Sequence, residues 1–310
     1  MKKLLAIFFT LLCINLHTAW LDNIPGVLVQ PDGKRVNVYF SGDEFHNWPH
    51  DYEGFTIIQD ALTGYWCWAR EENGDLISTG YPIHLYNPTD IAVTPRQNIS
   101  NERYLEKRRP FEQEFNSRTR DARSPSTGVI QSLTVFIRFA DDPEFTKEIS
   151  YHDEMLNAQE EGVNSLYRYF YDASYGQLEV FSPMFPKTNG NTVVSYRSTQ
   201  NRSYFQPYNS VTNPNGYQGG NYGNERIIRE HTLLRDALLY IRPQIPPSLI
   251  LDSNGSGRID NVNFIIRGEQ DGWSDLLWPH RYILYTHHVE INGSIVSNYN
   301  FNIEDFPRAG

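Results

Sequence analysis

The sequence predicts an α+β chain: a small antiparallel β-module followed by a larger α/β unit. Three observations predict it. Residues 25–87 carry closely spaced β-branched and aromatic runs separated by turn signals. Residues 132–139, SLTVFIRF, form an almost unbroken apolar run, as a strand buried on both faces requires. Further on, two segments with helical apolar spacing alternate with strand-like runs. The 310 residues accommodate one large domain or two ordinary ones, and 14% aromatics supply ample core material.

The first nineteen residues read as a secretory signal peptide. Met1-Lys2-Lys3 is a basic start, residues 4–16 are apolar, and Ala19 is a small residue at the cleavage point. That run is too short for a comfortable membrane span, and no later window is apolar enough to cross a bilayer. The expected location is therefore extracellular or periplasmic, with no stable membrane span after cleavage. Cleavage removes two lysines and no acid, taking the formal charge from −10 to −12. An excess of 37 Asp and Glu over 27 Lys and Arg argues against a nucleic-acid partner, which needs a basic face. Cleavage also removes Cys13 and leaves Cys67 alone, so no internal disulfide is expected.

Residues 20–97 form the β-module. Strands are expected at 27–29, 34–41, 55–59, 65–70 and 76–79, with turns at Pro31-Asp32-Gly33, Thr63-Gly64 and Asn73-Gly74-Asp75. Alternation places Trp66 and Trp68 on one face and Cys67 on the other. Residues 98–128 are rich in both charges and poor in apolar anchors. They read as a charged, partly helical linker, and exposed Lys and Arg there suit cleavage by trypsin-like proteases.

The α/β unit spans 129–310. Asn164 or Ser165 can cap a helix with Leu166, Tyr169, Phe170 and Ala173 as its apolar positions, ended by Gly176. Residues 187–224, rich in Asn, Gly, Ser and Tyr, read as a long surface excursion. Asn224 caps a second helix with Ile227, His231, Leu234, Leu238 and Ile241 on one face, closed by Pro243; a strand follows at 262–266.

Two local motifs suggest chemistry. Asp252, Asn254, Ser256 and Asp260 place oxygen side chains at positions 1, 3, 5 and 9 of a calcium-type loop. Gly257 stands at position 6, and Arg258 offers its carbonyl. Ser at position 5 and Asn263 at position 12 lower the charge, so the expected dissociation constant is on the order of 10⁻⁴–10⁻³ M. The competing reading is an Asp/Asn/Gly turn held by its own hydrogen bonds. In Trp273-Ser274-Asp275-Leu276-Leu277-Trp278-Pro279-His280-Arg281, the residues Trp278, His280 and Arg281 are candidates to line a cleft.

The remaining histidines offer less. Pro49 forbids the helix that would align His46 with His50, His231 lies on an apolar seam, and His287-His288 would diverge in a strand. There is no H-E-x-x-H, no G-x-S-x-G and no P-loop.

The ordered set of motifs resembles the secreted bacterial zinc metallopeptidases of the immune inhibitor A family. Gln30-Pro31-Asp32-Gly33, Ser41-Gly42-Asp43-Glu44, Tyr52-Glu53-Gly54-Phe55 and Thr63-Gly64-Tyr65 are similar to that family's propeptide. Residues 133–141 resemble its first catalytic-domain strand, and 165–178 its Tyr/Phe-rich helix ending in Ser-Tyr-Gly. The Asp252–Asp260 loop and Trp278-Pro279-His280-Arg281 resemble its Asp-rich loop and its Trp-Ser-His-Arg segment.

The resemblance implies a β-rich propeptide and the N-terminal part of a zincin-like α/β catalytic domain. It implies a metalloendopeptidase that hydrolyses protein or peptide substrates with a zinc-activated water. The zinc helix would follow shortly after the His-Arg segment. No catalytic or zinc residue is therefore carried over, and this chain, read as an incomplete one, is expected to be inactive by itself. Cys67 as a thiolate zinc ligand would give latency, against the plainer reading of a buried structural thiol. A calcium-stabilised protein- or glycan-binding module and an inactive peptidase paralogue are the alternatives. A monomer is expected in each case.

Overall fold

The computed structural model describes residues 20–43, 45–117, 125–188, 190–209, 211–217, 224–268 and 279–305. The signal-peptide expectation for 1–19 falls outside the described residues. So do Trp273, Trp278 and the 118–124 part of the expected linker.

The N-terminal module holds two three-stranded antiparallel sheets. The first is β1 (Leu21–Val29), β2 (Arg35–Gly42) and β3 (Asn47–His50); the second is β4 (Ile57–Gln59), β5 (Trp66–Glu72) and β6 (Asp75–Pro82). Three of its turns were marked in sequence: Gly33, Gly64 and Gly74 have positive φ, the backbone region that glycine enters without strain. Leu28, Val38, Phe40, Phe55, Ile57 and Trp68 close the two sheets on one another, with Trp66 at the margin. β3 was not expected, because Pro49 weakens any strand reading. It is tolerated on an edge strand: β3 forms a ladder with β2 and beyond that an isolated bridge from His50 to Thr56.

The segment 98–128 is in part helical. Residues Asn101–Ser117 form α1, a helix started by Ser100, whose hydroxyl accepts the Arg103 N–H at 3.2 Å. The helix is fastened to the module by polar contacts, which an apolar-periodicity reading does not register. Tyr104 donates to Asp43 at 2.6 Å, and Arg103 pairs with Asp75 at 3.1 Å.

The larger unit is organised by β7 (Gly128–Arg138), the predicted central strand. Leu133, Val135, Phe136 and Ile137 on it are completely buried. After it come α2 (Ile149–Asn157), α3 (Leu166–Ala173), β8 (Leu178–Phe181), β9 (Met184–Phe185), β10 (Tyr196–Arg197) and α4 (Asn224–Ile241). Then follow β11 (Asn261–Ile266), β12 (His280–Ile283), β13 (Glu290–Ile291), β14 (Ser294–Ile295) and β15 (Asn298–Ile303). The main sheet runs β10-β7-β11-β15-β12, with β8 and β9 also on β7. All these pairings are parallel except β12 with β15, so β12 is an antiparallel edge strand.

α4 covers one face of this sheet. Leu233, Leu234, Ala237, Leu238 and Ile241 pack on Val135, Ile137, Phe264, Ile266 and Phe301. On the other face, amides bond across strands: Asn261 donates to Ser132, Asn300 to Asn261 at 3.1 Å, and Asn302 to Asn263 at 2.6 Å. In α3 the expected Ser165 cap is present, accepting the Arg168 N–H at 3.0 Å. Its buried aromatic is Tyr167, which donates to Glu179, whereas Tyr169 is exposed. The expected strand around His287-His288 is absent: both lie in a turn between β12 and β13. Among the described residues no helix is long and apolar enough to cross a membrane.

Candidate functional site: the edge strand and what covers it

β12 is held by two different parts of the chain. On the α4 side the holding group is Glu230. Its carboxylate is fully enclosed and lies 2.9 Å from His280 Nε2 on β12, and it also accepts the Tyr299 hydroxyl from β15. Burial by itself pushes the Glu230 carboxyl up, but the adjacent His280 ring and the Tyr299 hydroxyl hold it below the usual carboxylate range. Tyr299 is pushed up strongly, first by burial and then by the Glu230 charge. His280 also stacks on Phe301, ring centroids 5.3 Å apart.

His231, next along α4, is buried as its apolar seam predicted. Its Nδ1 lies 2.9 Å from Thr286 Oγ1, and burial drives its pKa down to about 4. The ring is neutral at ordinary pH, and its buried Nε2 has no hydrogen-bond partner among the described residues.

The N-terminal module meets the same strand through Tyr282, which alternation places on the same face as His280. Phe45, on the turn between β2 and β3, leaves its own module and joins the core of the larger unit. Its ring centroid lies 6.2 Å from Tyr282 and 6.4 Å from Tyr104, with the Arg108 guanidinium 5.7 Å away over its face. α1 packs against β12 beside it. The turn is shaped by Asp43, whose Oδ1 accepts the Phe45 and His46 N–H groups at 2.9 and 3.0 Å. A second junction lies at Gly64, where an added Cβ would stand 1.8 Å from Asn209 Nδ2 in the surface excursion.

His46 sits at the centre of this contact, stacked on Trp48 at 5.2 Å. Asn98 Oδ1 accepts the Ile99 N–H, which identifies it as oxygen, so His46 Nε2 donates to it at 2.6 Å. Lys107 Nζ donates to His46 Nδ1 at 3.3 Å. Burial, and then the Lys107 charge, lower the His46 pKa to about 3.

The cleft-lining candidates are distributed differently from the sequence expectation. His280 faces the sheet–helix core, and Arg281, its neighbour on the strand, is exposed. Trp278 lies outside the described residues. Sequence reasoning set aside His46 and did not single out Glu230 or Tyr299. The usable signal was Glu230 itself, a carboxylate on the buried side of an amphipathic helix.

In the 252–260 loop, Asp252 accepts the Ser256 N–H at 2.9 Å and the Gly257 N–H at 2.7 Å, and Asp260 accepts the Ser253 N–H at 3.1 Å. These are the bonds of the self-held turn. The same loop gathers the oxygens a hard cation uses: Asp252, Asn254, Ser256, the Arg258 carbonyl and Asp260. Burial raises the Asp260 pKa, and the neighbouring Asp252 charge adds to that rise, a repulsion that a bound cation would relieve. Donor chemistry and electrostatics therefore fit calcium. Zinc is different: among the described residues no three His, Cys, Asp or Glu side chains converge into a metal-binding group. Cys67 is wholly buried, and burial pushes its thiol up to about 11.

A polar cleft of about 740 Å³ opens at the start of α4, lined by Asn201, Ser203, Tyr204, Asn215, Glu225 and Arg229 among others. Arg229 donates to the Tyr204, Asn215 and Gly216 carbonyls and pairs with Glu225 at 2.6 Å, folding the excursion onto the helix.

No known family model matches the chain. No curated protein matches it either.

Proposed function

We propose that the chain is part of the precursor of a secreted zinc-dependent endopeptidase similar to the immune inhibitor A peptidases. The N-terminal module with α1 is its propeptide, and the β7-centred unit is the scaffold of a zincin-like catalytic domain. Hydrolysis by a metal-activated water would fall to zinc ligands that this sequence does not contain.

One observation carries the reading: the N-terminal module places Phe45 and α1 against the antiparallel edge strand β12. Among the described residues β12 pairs as a strand only with β15, which makes it an edge strand of the main sheet. An extended peptide adds to such an edge through main-chain hydrogen bonds, with alternate side chains entering pockets. A module seated there stands where a peptide substrate would approach, which is the job of a propeptide. The calcium-type loop, between α4 and β11, serves in this reading as a stabilising cation site away from the chemistry.

The test is the coding sequence beyond the Gly310 codon and the activity of its product. The expected result is an H-E-x-x-H shortly downstream and protein hydrolysis that a zinc chelator abolishes. A reading frame with no such motif, or a product without chelator-sensitive hydrolysis, overturns the proposal.

A further inference from the structure

We propose that His46 is a proton-operated latch: its neutral ring fastens α1 to the N-terminal module, and a second proton on that ring loosens the junction covering β12. This deepens the propeptide reading and rests on it for its biological meaning.

The geometry fixes the ring's protonation state. Nε2 must donate, because Asn98 offers only an oxygen there. Nδ1 must accept, because the Lys107 ammonium has only donors. A proton added to Nδ1 would aim an N–H at an ammonium 3.3 Å away. Asp43 is the acid on the same turn, but its Oδ1 holds two backbone N–H groups and its Oδ2 holds Tyr104. From α1 the facing groups are Lys107, Tyr104 and Arg108, two of them cations. From β12 the module meets Tyr282, through Phe45. The surroundings are thus arranged for a neutral imidazole.

Lys107 stands one helical turn from Tyr104 and next to Arg108, the two residues that flank Phe45. Displacing Lys107 therefore pulls on the same face of α1 that encloses the Phe45 ring. A histidine whose folded pKa is depressed contributes fully above its unfolded value, near 6.5. It loses that contribution as pH falls toward the folded value of about 3. The latch equilibrium then shifts by about tenfold per pH unit across that window.

Hydrogen exchange read by mass spectrometry on the full chain tests this, with rates corrected for the intrinsic pH dependence of exchange. Between pH 6.5 and 4.5, protection of the amides of 101–109 and of β12 should fall by about fiftyfold. In His46→Gln, whose amide can still donate to Asn98 and accept from Lys107, protection should stay constant. Equal protection at both pH values in the wild type, or the same fall in His46→Gln, overturns the latch. Should His46→Gln not fold, NMR titration of the wild-type ring decides, and a midpoint near 6.5 overturns it. The two readings fail separately. A pH-dependent latch in a protein without zinc-dependent hydrolysis sinks only the peptidase reading, and an active peptidase with pH-independent protection sinks only the latch.

Discussion

His280 on the edge strand reaches Glu230 on α4 at 2.9 Å, a contact between residues fifty apart in sequence that pins the outermost strand to the helix behind the sheet. Removing Glu230 takes away a buried acceptor shared by His280 Nε2 and the Tyr299 hydroxyl. Glu230→Leu should therefore destabilise the protein by about 3–5 kcal/mol, measured by urea unfolding. The carboxyl is depressed in the folded state, so its contribution is present above the ordinary carboxylate value and is lost as pH falls through the lower folded one. Wild-type stability should drop on acidification through that range, and the drop should be smaller in Glu230→Leu.

Gly64 combines a φ of +72° with the close approach of Asn209. Asn209 has little freedom to yield, because its Oδ1 accepts the Val211 and Thr212 N–H groups at 2.8 and 2.9 Å. Gly64→Ala should destabilise by roughly 2–3 kcal/mol through backbone strain and overpacking. Repeating the substitution in an Asn209→Ala background should recover the overpacking share and leave the strain. Equal losses in both backgrounds would place the whole effect in the backbone.

Calcium should stabilise the 252–260 loop. With a dissociation constant on the order of 10⁻⁴ M, 1 mM calcium adds about 1.4 kcal/mol. Thermal melts in calcium and in chelator should differ accordingly, and Asp252→Asn should remove the difference. A melting temperature indifferent to calcium would leave the self-held turn as the complete account.

Cys67 should be nearly inert in the native protein. A thiol raised from 9.0 to about 11 holds roughly a hundredth of the ordinary thiolate fraction at pH 8. Labelling by a disulfide reagent should be at least that much slower in the folded protein than in urea. Fast native labelling would show that the thiol is not shielded as its burial requires.

If the peptidase proposal holds, purified residues 20–310 should hydrolyse no peptide, with or without added zinc, because the sequence has no H-E-x-x-H, the motif that the proposal assigns to the zinc. Chelator-sensitive cleavage by that polypeptide would remove the basis of the scaffold reading.

The sequence showed the strands that carry their own pattern: β7, with its continuous apolar run, and the module's hairpins, with their glycine turns. It showed the buried face of α4 for the same reason. It did not show β3, where Pro49 masks a legitimate edge strand, or the firm attachment of α1, which depends on Tyr104, Lys107 and Arg103 finding polar partners far away in sequence. The candidate site was legible only in fragments. His280 was marked, but its partners Glu230 and Tyr299 come from a helix and another strand, and no local spacing joins the three.

The placement of Phe45 against Tyr282 also sets an order of events during synthesis. The two N-terminal sheets are built from neighbouring hairpins and can form as soon as they leave the ribosome. Their docking partner is made much later, since β12 begins only at His280 and β15 at Asn298. Until then the module has nothing to sit on, and the Phe45 side chain lacks its partner Tyr282. Assembly is then a late, single closing step, and a chain stalled before β12 would display a finished module on an unfinished sheet.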